Sequence, residues 1–172
     1  MFEIGDVIVY SAHGLCRIDD ICERTLAGET RTYYVMHPLG DDNLTISCPV
    51  DSDKVKILKT LERYEAEKVL LSFKEPGVEW IDDYRKRNAK YKEWINSADR
   101  MLIAKVINTL MRRDKELQAN NKQLYEVDRR MLADIQQILF KELALTLGTT
   151  YEEILRETEE MIENHPAPTK TS

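Results

Sequence analysis

The feature that most constrains this chain is a change of hydrophobic period near Lys59. Before it, apolar residues alternate in five short runs, DVIVYS, LCRIDDICER, RTYYVMHPL, LTISCPV and KVKIL, all rich in Val, Ile and Tyr. The breaks carry turn chemistry at His13-Gly14, Ala27-Gly28, Gly40-Asp41-Asp42-Asn43 and Asp51-Ser52-Asp53. Five short strands are too few for an ordinary sandwich, so the expected closure is a small all-β barrel of the SH3 or Tudor kind. After Lys59 the period is 3.6 and stays there, which predicts an all-α helical bundle. The chain therefore reads as two domains, over residues 1–59 and 60–164. A tail over 165–172, with Pro166 and Pro168, is expected to be disordered.

Five helices are expected. Thr60 is placed to cap the first, whose face is Ala66, Val69, Leu70 and Phe73, and Glu75-Pro76-Gly77 stops it. The second is expected from about Trp80 to Trp94, with Trp80, Tyr84, Arg87, Tyr91 and Trp94 as one stripe. On this reading Tyr91 and Trp94 pack inward and Trp80 is the more exposed tryptophan. Asn96-Ser97 supplies the next cap, and Ile103, Val106, Ile107, Leu110 and Met111 form the face of a third helix whose last turn carries Arg112-Arg113. Residues 115–123 read as a polar link. Leu124, Val127, Met131, Ile135, Ile138, Leu139 and Leu143 then define a fourth helix that Gly148 ends. Thr149 with Glu152 reads as a capping box for the fifth.

Composition excludes several functions. No run of about 18 apolar residues occurs, and the opening MFEIGDVIVY is acidic where a signal peptide needs a basic residue, so a cytoplasmic protein without a membrane partner is expected. Cys16, Cys22 and Cys48 lie in strand-like surroundings without metal spacing and read as buried, reduced thiols. No nucleophile, phosphate loop, paired carboxylate or Glu-x-x-His arrangement is present, so an enzyme, a cofactor, a metal and a small-molecule substrate are all unexpected. The net charge of −6 argues against a nonspecific nucleic-acid coat, but it is unevenly spread. Residues 1–60 hold six Lys/Arg against ten Asp/Glu, whereas residues 80–113 hold nine Lys/Arg against four Asp/Glu, a local excess of +5.

That excess begins in the stretch KEPGVEWIDDYRKR, Lys74 to Arg87. A rigid aromatic at a helix start, followed within two turns by Arg85, Lys86, Arg87 and Lys90, has the form of a wedge into a nucleic-acid groove with cations for phosphates. A tryptophan packing one helix on another is the alternative, and the stretch alone favours it. Arg24, at the end of the second strand run, stands where an exposed edge would add a partner's strand; an ordinary solvent-facing arginine is the alternative there.

The opening FEIGDVIVYSAHGLCRI, the turn ERTLAGETRTYYVM, the LTISCP run, the Trp80 helix, TLMRRDKE and DRRMLADIQQILFKELAL together resemble the CarD/CdnL family of bacterial transcription factors over nearly the whole chain. The resemblance implies an N-terminal Tudor-like barrel, shared with the transcription-repair coupling factor, that binds the β subunit of RNA polymerase. It also implies a helical domain that reaches promoter DNA at the upstream edge of the transcription bubble, where a tryptophan wedges into the minor groove and keeps the open complex from closing. Residue by residue, the wedge falls on Trp80 and the polymerase contact on Arg24. Two positions depart from the family pattern: Ser47 stands where some members have a basic residue, and Ile81-Asp82-Asp83 separates Trp80 from its basic cluster. The competing reading is a polymerase-binding adapter whose helical domain recruits another protein without touching DNA.

Overall fold

The computed structural model describes residues 1–11 and 13–166. The chain divides into two compact units, Met1–Thr60 and Leu61–Ser172, the first all-β and the second all-α among the described residues. Among the described residues no helix is long and apolar enough to cross a membrane.

The first unit is one five-stranded antiparallel sheet of β1 (Val7–Tyr10), β2 (Gly14–Leu26), β3 (Glu29–Pro38), β4 (Ile46–Pro49) and β5 (Ile57–Lys59). Their order is β4-β3-β2-β1-β5. A single core takes Ile8, Tyr10, Cys16, Ile18, Tyr34, Met36 and Cys48, with Ile46 and Ile57 packed on it from the two outer strands. The β2–β3 register slips between Ile18 and Asp20. This bulge exchanges the faces of β2: Cys16 and Ile18 point into the core, and beyond the slip Ile21 does so instead. Cys22 consequently pairs with Tyr33 and is half-buried, so it is not the buried thiol expected from sequence. Burial pushes the Cys16 thiol up to about 11 and raises that of Cys48, which keeps both protonated and unreactive.

Strand β2 outruns its neighbour. Its ladder with β1 covers Gly14 to Arg17, whereas its ladder with β3 continues to Leu26. The outer half is thus a two-stranded ribbon with one β2 edge lacking a strand partner among the described residues. Its tip is a two-residue turn in which Ala27 and Gly28 both take the left-handed conformation, φ 51° and 82°, as a tight hairpin of this hand requires.

The second unit contains α1 (Arg63–Leu71), a 3₁₀ turn (Ser72–Lys74), α2 (Tyr84–Asn96), α3 (Arg100–Ala119), α4 (Glu126–Leu147) and α5 (Tyr151–Asn164). The expected apolar faces meet in one core that includes Ala66, Val69, Phe73, Tyr91, Ile107, Leu110, Ile135, Leu143 and Ile154. Several helix boundaries differ from expectation: α1 begins after Glu62, not Thr60, with no side-chain cap bond, and three others differ through a cap. Asp83 accepts from the Arg85 and Lys86 amides and starts α2 there, leaving Trp80 in the preceding loop. Asp99, not Asn96-Ser97, caps α3 through the Leu102 amide. Thr150, not Thr149, caps α5 through the Glu153 amide. Helix α3 also continues through the polar residues read as a link, with Gln118 bonded to Asp114 and Arg113 to Glu116 along it. Of the tail expected to be disordered, residues 167–172 lie outside the described residues; the carbonyl of His165 accepts from Arg112.

Gly77 fixes how the loop before α2 approaches α3. A Cβ there would stand 2.3 Å from Thr109 Oγ1 and 2.4 Å from the Lys105 carbonyl oxygen. Gly77→Ala is expected to push the loop off α3 and to cost about 1–3 kcal/mol of stability, measured by urea denaturation at an unchanged m-value.

Candidate functional site

The loop from Glu75 to Asp83 has no ladder of its own, so its carbonyls must find side-chain donors. Asn108 Nδ2 donates to the Glu75 carbonyl at 2.7 Å and Thr109 Oγ1 to that of Val78 at 2.7 Å. Tyr91 Oη donates to Glu79 at 2.8 Å; burial pushes this phenol up to about 12, so it remains a donor. Arg112, read from sequence as a helix-terminal charge, is instead buried and donates to the carbonyls of Phe73 and Glu75. Helices α2 and α3 thus hold the loop from both flanks.

Arg87 completes the fastening. Its Nη1 donates to the carbonyls of Ile81 and Asp82 at 2.6 and 3.2 Å, while Nε and Nη2 form a two-point ion pair with Asp128 of α4 at 3.1 and 2.6 Å. The side chains are 1% and 3% exposed. This corrects the sequence assignment of Arg87 to the DNA-facing cations: a guanidinium this enclosed, with every arm occupied, has no route to a phosphate. Asp128 was missed from sequence, where Val127 was taken as the inward position of α4. Val127 is 47% exposed, and Asp128 stands in the apolar series Leu124, Met131, Ile135. A carboxylate inside an apolar stripe is itself the signal for a buried cationic partner.

Trp80 rests on this assembly. It is half-buried and packs against the helical core, with the Arg87 guanidinium 4.2 Å and that of Arg113 5.1 Å from its ring centroid. Trp94 is also half-buried, stacked on Tyr91 at 5.7 Å. Arg113 is the further cation beside Trp80 that sequence reasoning assigned to a helix end. Arg85 and Lys86 are exposed in the first turn of α2, Arg85 lying over the Tyr84 ring. Lys90, one turn on, reaches Glu93 at 3.4 Å and the Trp94 ring. Asp83 is exposed but engaged as the α2 cap, and the Lys86 and Arg85 amides hold its carboxyl below the usual range. Asp82 is exposed.

In the β unit Arg24 is exposed on the ribbon, its Nη1 donating to Ser47 Oγ at 3.0 Å and its guanidinium 5.9 Å from the Tyr33 centroid. Ser47 thus lies beside Arg24 across β3, so the departure from a basic residue falls within the same surface.

The small antiparallel sheet unit followed by a helical unit is a two-domain architecture that the comparisons match unit by unit. The model of the CarD-like/TRCF RID domain matches residues 2–64 and that of the CarD C-terminal domain matches residues 68–161, so the chain belongs to the CarD-like family of transcription factors. It is similar to a Bacillus subtilis (strain 168) protein named "Putative transcription factor YdeB", with 28% identity over 159 residues, covering 90% of this chain and 97% of that protein. Membership implies binding to RNA polymerase.

Asp128→Ala is expected to cost about 3–5 kcal/mol, because it strands a buried guanidinium, read by chemical denaturation. Asp83 contributes stability that is complete above the ordinary carboxylate range and is lost as pH falls through its lowered folded pKa. Asp83→Asn keeps an acceptor at the cap and removes that component. The melting temperature of wild type is therefore expected to fall more steeply than that of the variant on acidification from about pH 5 to about pH 3.

Proposed function

We propose that the β unit binds the β subunit of RNA polymerase through the ribbon surface around Arg24, and that the helical unit meets promoter DNA at the upstream edge of the transcription bubble. Trp80 wedges into the minor groove there, with Arg85, Lys86 and Lys90 against the backbone. The observation that carries the reading is the fastened loop: Trp80 is held by bonds from two helices to the loop carbonyls, so its position is set before DNA arrives. Pre-positioning removes an ordering cost from binding. The outer half of β2, which carries Arg24, lacks a β1 partner, and such an unpaired edge suits strand addition, while the Arg24 guanidinium lies on the opposite side, over β3 at Ser47.

Mechanically this is a tethered wedge. Polymerase binding raises the local concentration of the helical unit at the promoter, so a few cations suffice. Stacking of one aromatic at an unpaired base contributes about 1–3 kcal/mol, enough to slow bubble closure without sequence-specific contacts. The adapter reading, in which the helical unit recruits a protein and leaves DNA alone, draws on one observation: Arg87 is withdrawn to the interior, while Asp82 stays exposed beside Arg85 and Lys86.

Open complexes formed by the cognate polymerase are expected to live longer with the protein present, and Trp80→Ala is expected to shorten them roughly 5- to 100-fold toward the unaided lifetime. Arg85→Ala and Lys86→Ala should each lower the salt slope of DNA contact by about 1. An unchanged lifetime with retained polymerase binding selects the adapter. A Trp80→Ala protein that unfolds at the assay temperature makes Trp80 a packing residue.

A further inference from the structure

The buried ion pair has a second consequence on the surface above it. Tyr84 stands three residues before Arg87 at the start of α2, and Tyr125 stands three residues before Asp128 at the start of α4. Residues three apart share a helix face, so the pair that joins Arg87 to Asp128 also brings the tyrosines together. Their rings meet edge to face at 5.9 Å, yet they are 47% and 65% exposed. Arg85 extends the surface: its guanidinium lies 5.5 Å from the Tyr84 centroid and its Nε donates to Tyr84 Oη at 3.0 Å. Packing does not account for two large aromatics left this open and fixed by an ion pair beneath them.

The charge around them selects the partner. Outside the Arg87–Asp128 pair, segments 82–90 and 122–130 carry six basic residues, Arg85, Lys86, Lys90, Lys122, Arg129 and Arg130, against Asp82, Asp83 and Glu126. Arg129 and Arg130 both bond Glu126. The surface is therefore cationic in a chain of net charge −6. Flat aromatic rings edged by cations suit a base and its phosphate, and such stacking tolerates any sequence.

We infer that Tyr84, Tyr125 and Arg85 form a stacking surface for an unpaired nucleotide of the melted promoter strand. This rests on the proposed placement of the helical unit at the bubble, and it extends the contact from the Trp80 loop to the starts of α2 and α4. The Arg87 guanidinium, which touches the Trp80 ring and anchors the helix turn bearing Tyr84, couples the two aromatic sites.

The test uses the full chain with p-benzoylphenylalanine at position 125, bound with RNA polymerase to a promoter carrying a pre-melted bubble and to the same promoter fully duplex. A photocrosslink to an unpaired base that is weak on duplex DNA is the expected result. Crosslinks to polymerase alone, or equal crosslinks to both DNAs, overturn the inference and assign the surface to a protein or to duplex phosphates. In parallel, Tyr125→Ala and Tyr84→Leu are expected to shorten open-complex lifetime about fivefold with melting temperature unchanged; full lifetime in both variants overturns it as well. Should Trp80→Ala leave lifetime unaltered while position 125 crosslinks the unpaired strand, the wedge fails and the stacking surface stands. The opposite pattern retains the wedge and removes the stacking surface.

Discussion

The Arg87–Asp128 ion pair is the interaction on which the proposed DNA-facing surface of the helical unit depends. Burying two charges carries a desolvation penalty that mutual attraction seldom exceeds by much, so such a pair is a poor source of net stability. Its value here is positional. One guanidinium joins α2 to α4, accepts the load of two loop carbonyls and lies against the Trp80 ring. An apolar pair of similar volume could fill the space but could supply none of the directed bonds. A second enclosed pair, Arg100 with Glu142 at 3.1 Å, serves the start of the same unit, where Glu142 also accepts the Leu61 amide. Burial raises the Glu142 pKa even against the attraction of Arg100.

Around that pair the structure solves one recurrent problem, an irregular loop placed against a core. A segment stopped by Pro76 and Gly77 exposes carbonyls that no helix satisfies. Asn108, Thr109, Tyr91, Arg112 and Arg87 satisfy them from α2 and α3. The absence of a Cβ at Gly77 permits the approach that makes these bonds short. The result is a tryptophan in a non-helical segment with a defined position, which regular secondary structure alone would not provide.

Much of this was legible in the sequence, and the remainder was hidden for physical reasons. The change of period located both units, and the apolar faces of α1, α3 and α4 were read nearly as found because burial imposes its repeat directly. Helix starts were misplaced by one or more residues at Glu62, Asp83, Asp99 and Thr150, since several neighbouring residues could each serve. The polar end of α3 was read as a link because its helix is held by side-chain pairs and not by an apolar stripe. Cys22 was placed inside because one bulge reverses every face beyond it. Arg87 looked like a phosphate ligand because a cation's partner 41 residues away leaves no local trace. Asp128 could have been found, as a carboxylate in line with Leu124 and Met131.

The central claim is that Arg87 sets the position of the Trp80 indole. The most direct measurement is the ¹⁹F NMR spectrum of protein labelled with 5-fluorotryptophan, comparing wild type with Arg87→Lys, which keeps the charge and loses the forked geometry. The account predicts that the Trp80 resonance shifts and broadens while that of Trp94 stays in place. A Trp80 resonance identical in both proteins, with Arg87→Lys still folded, would contradict it.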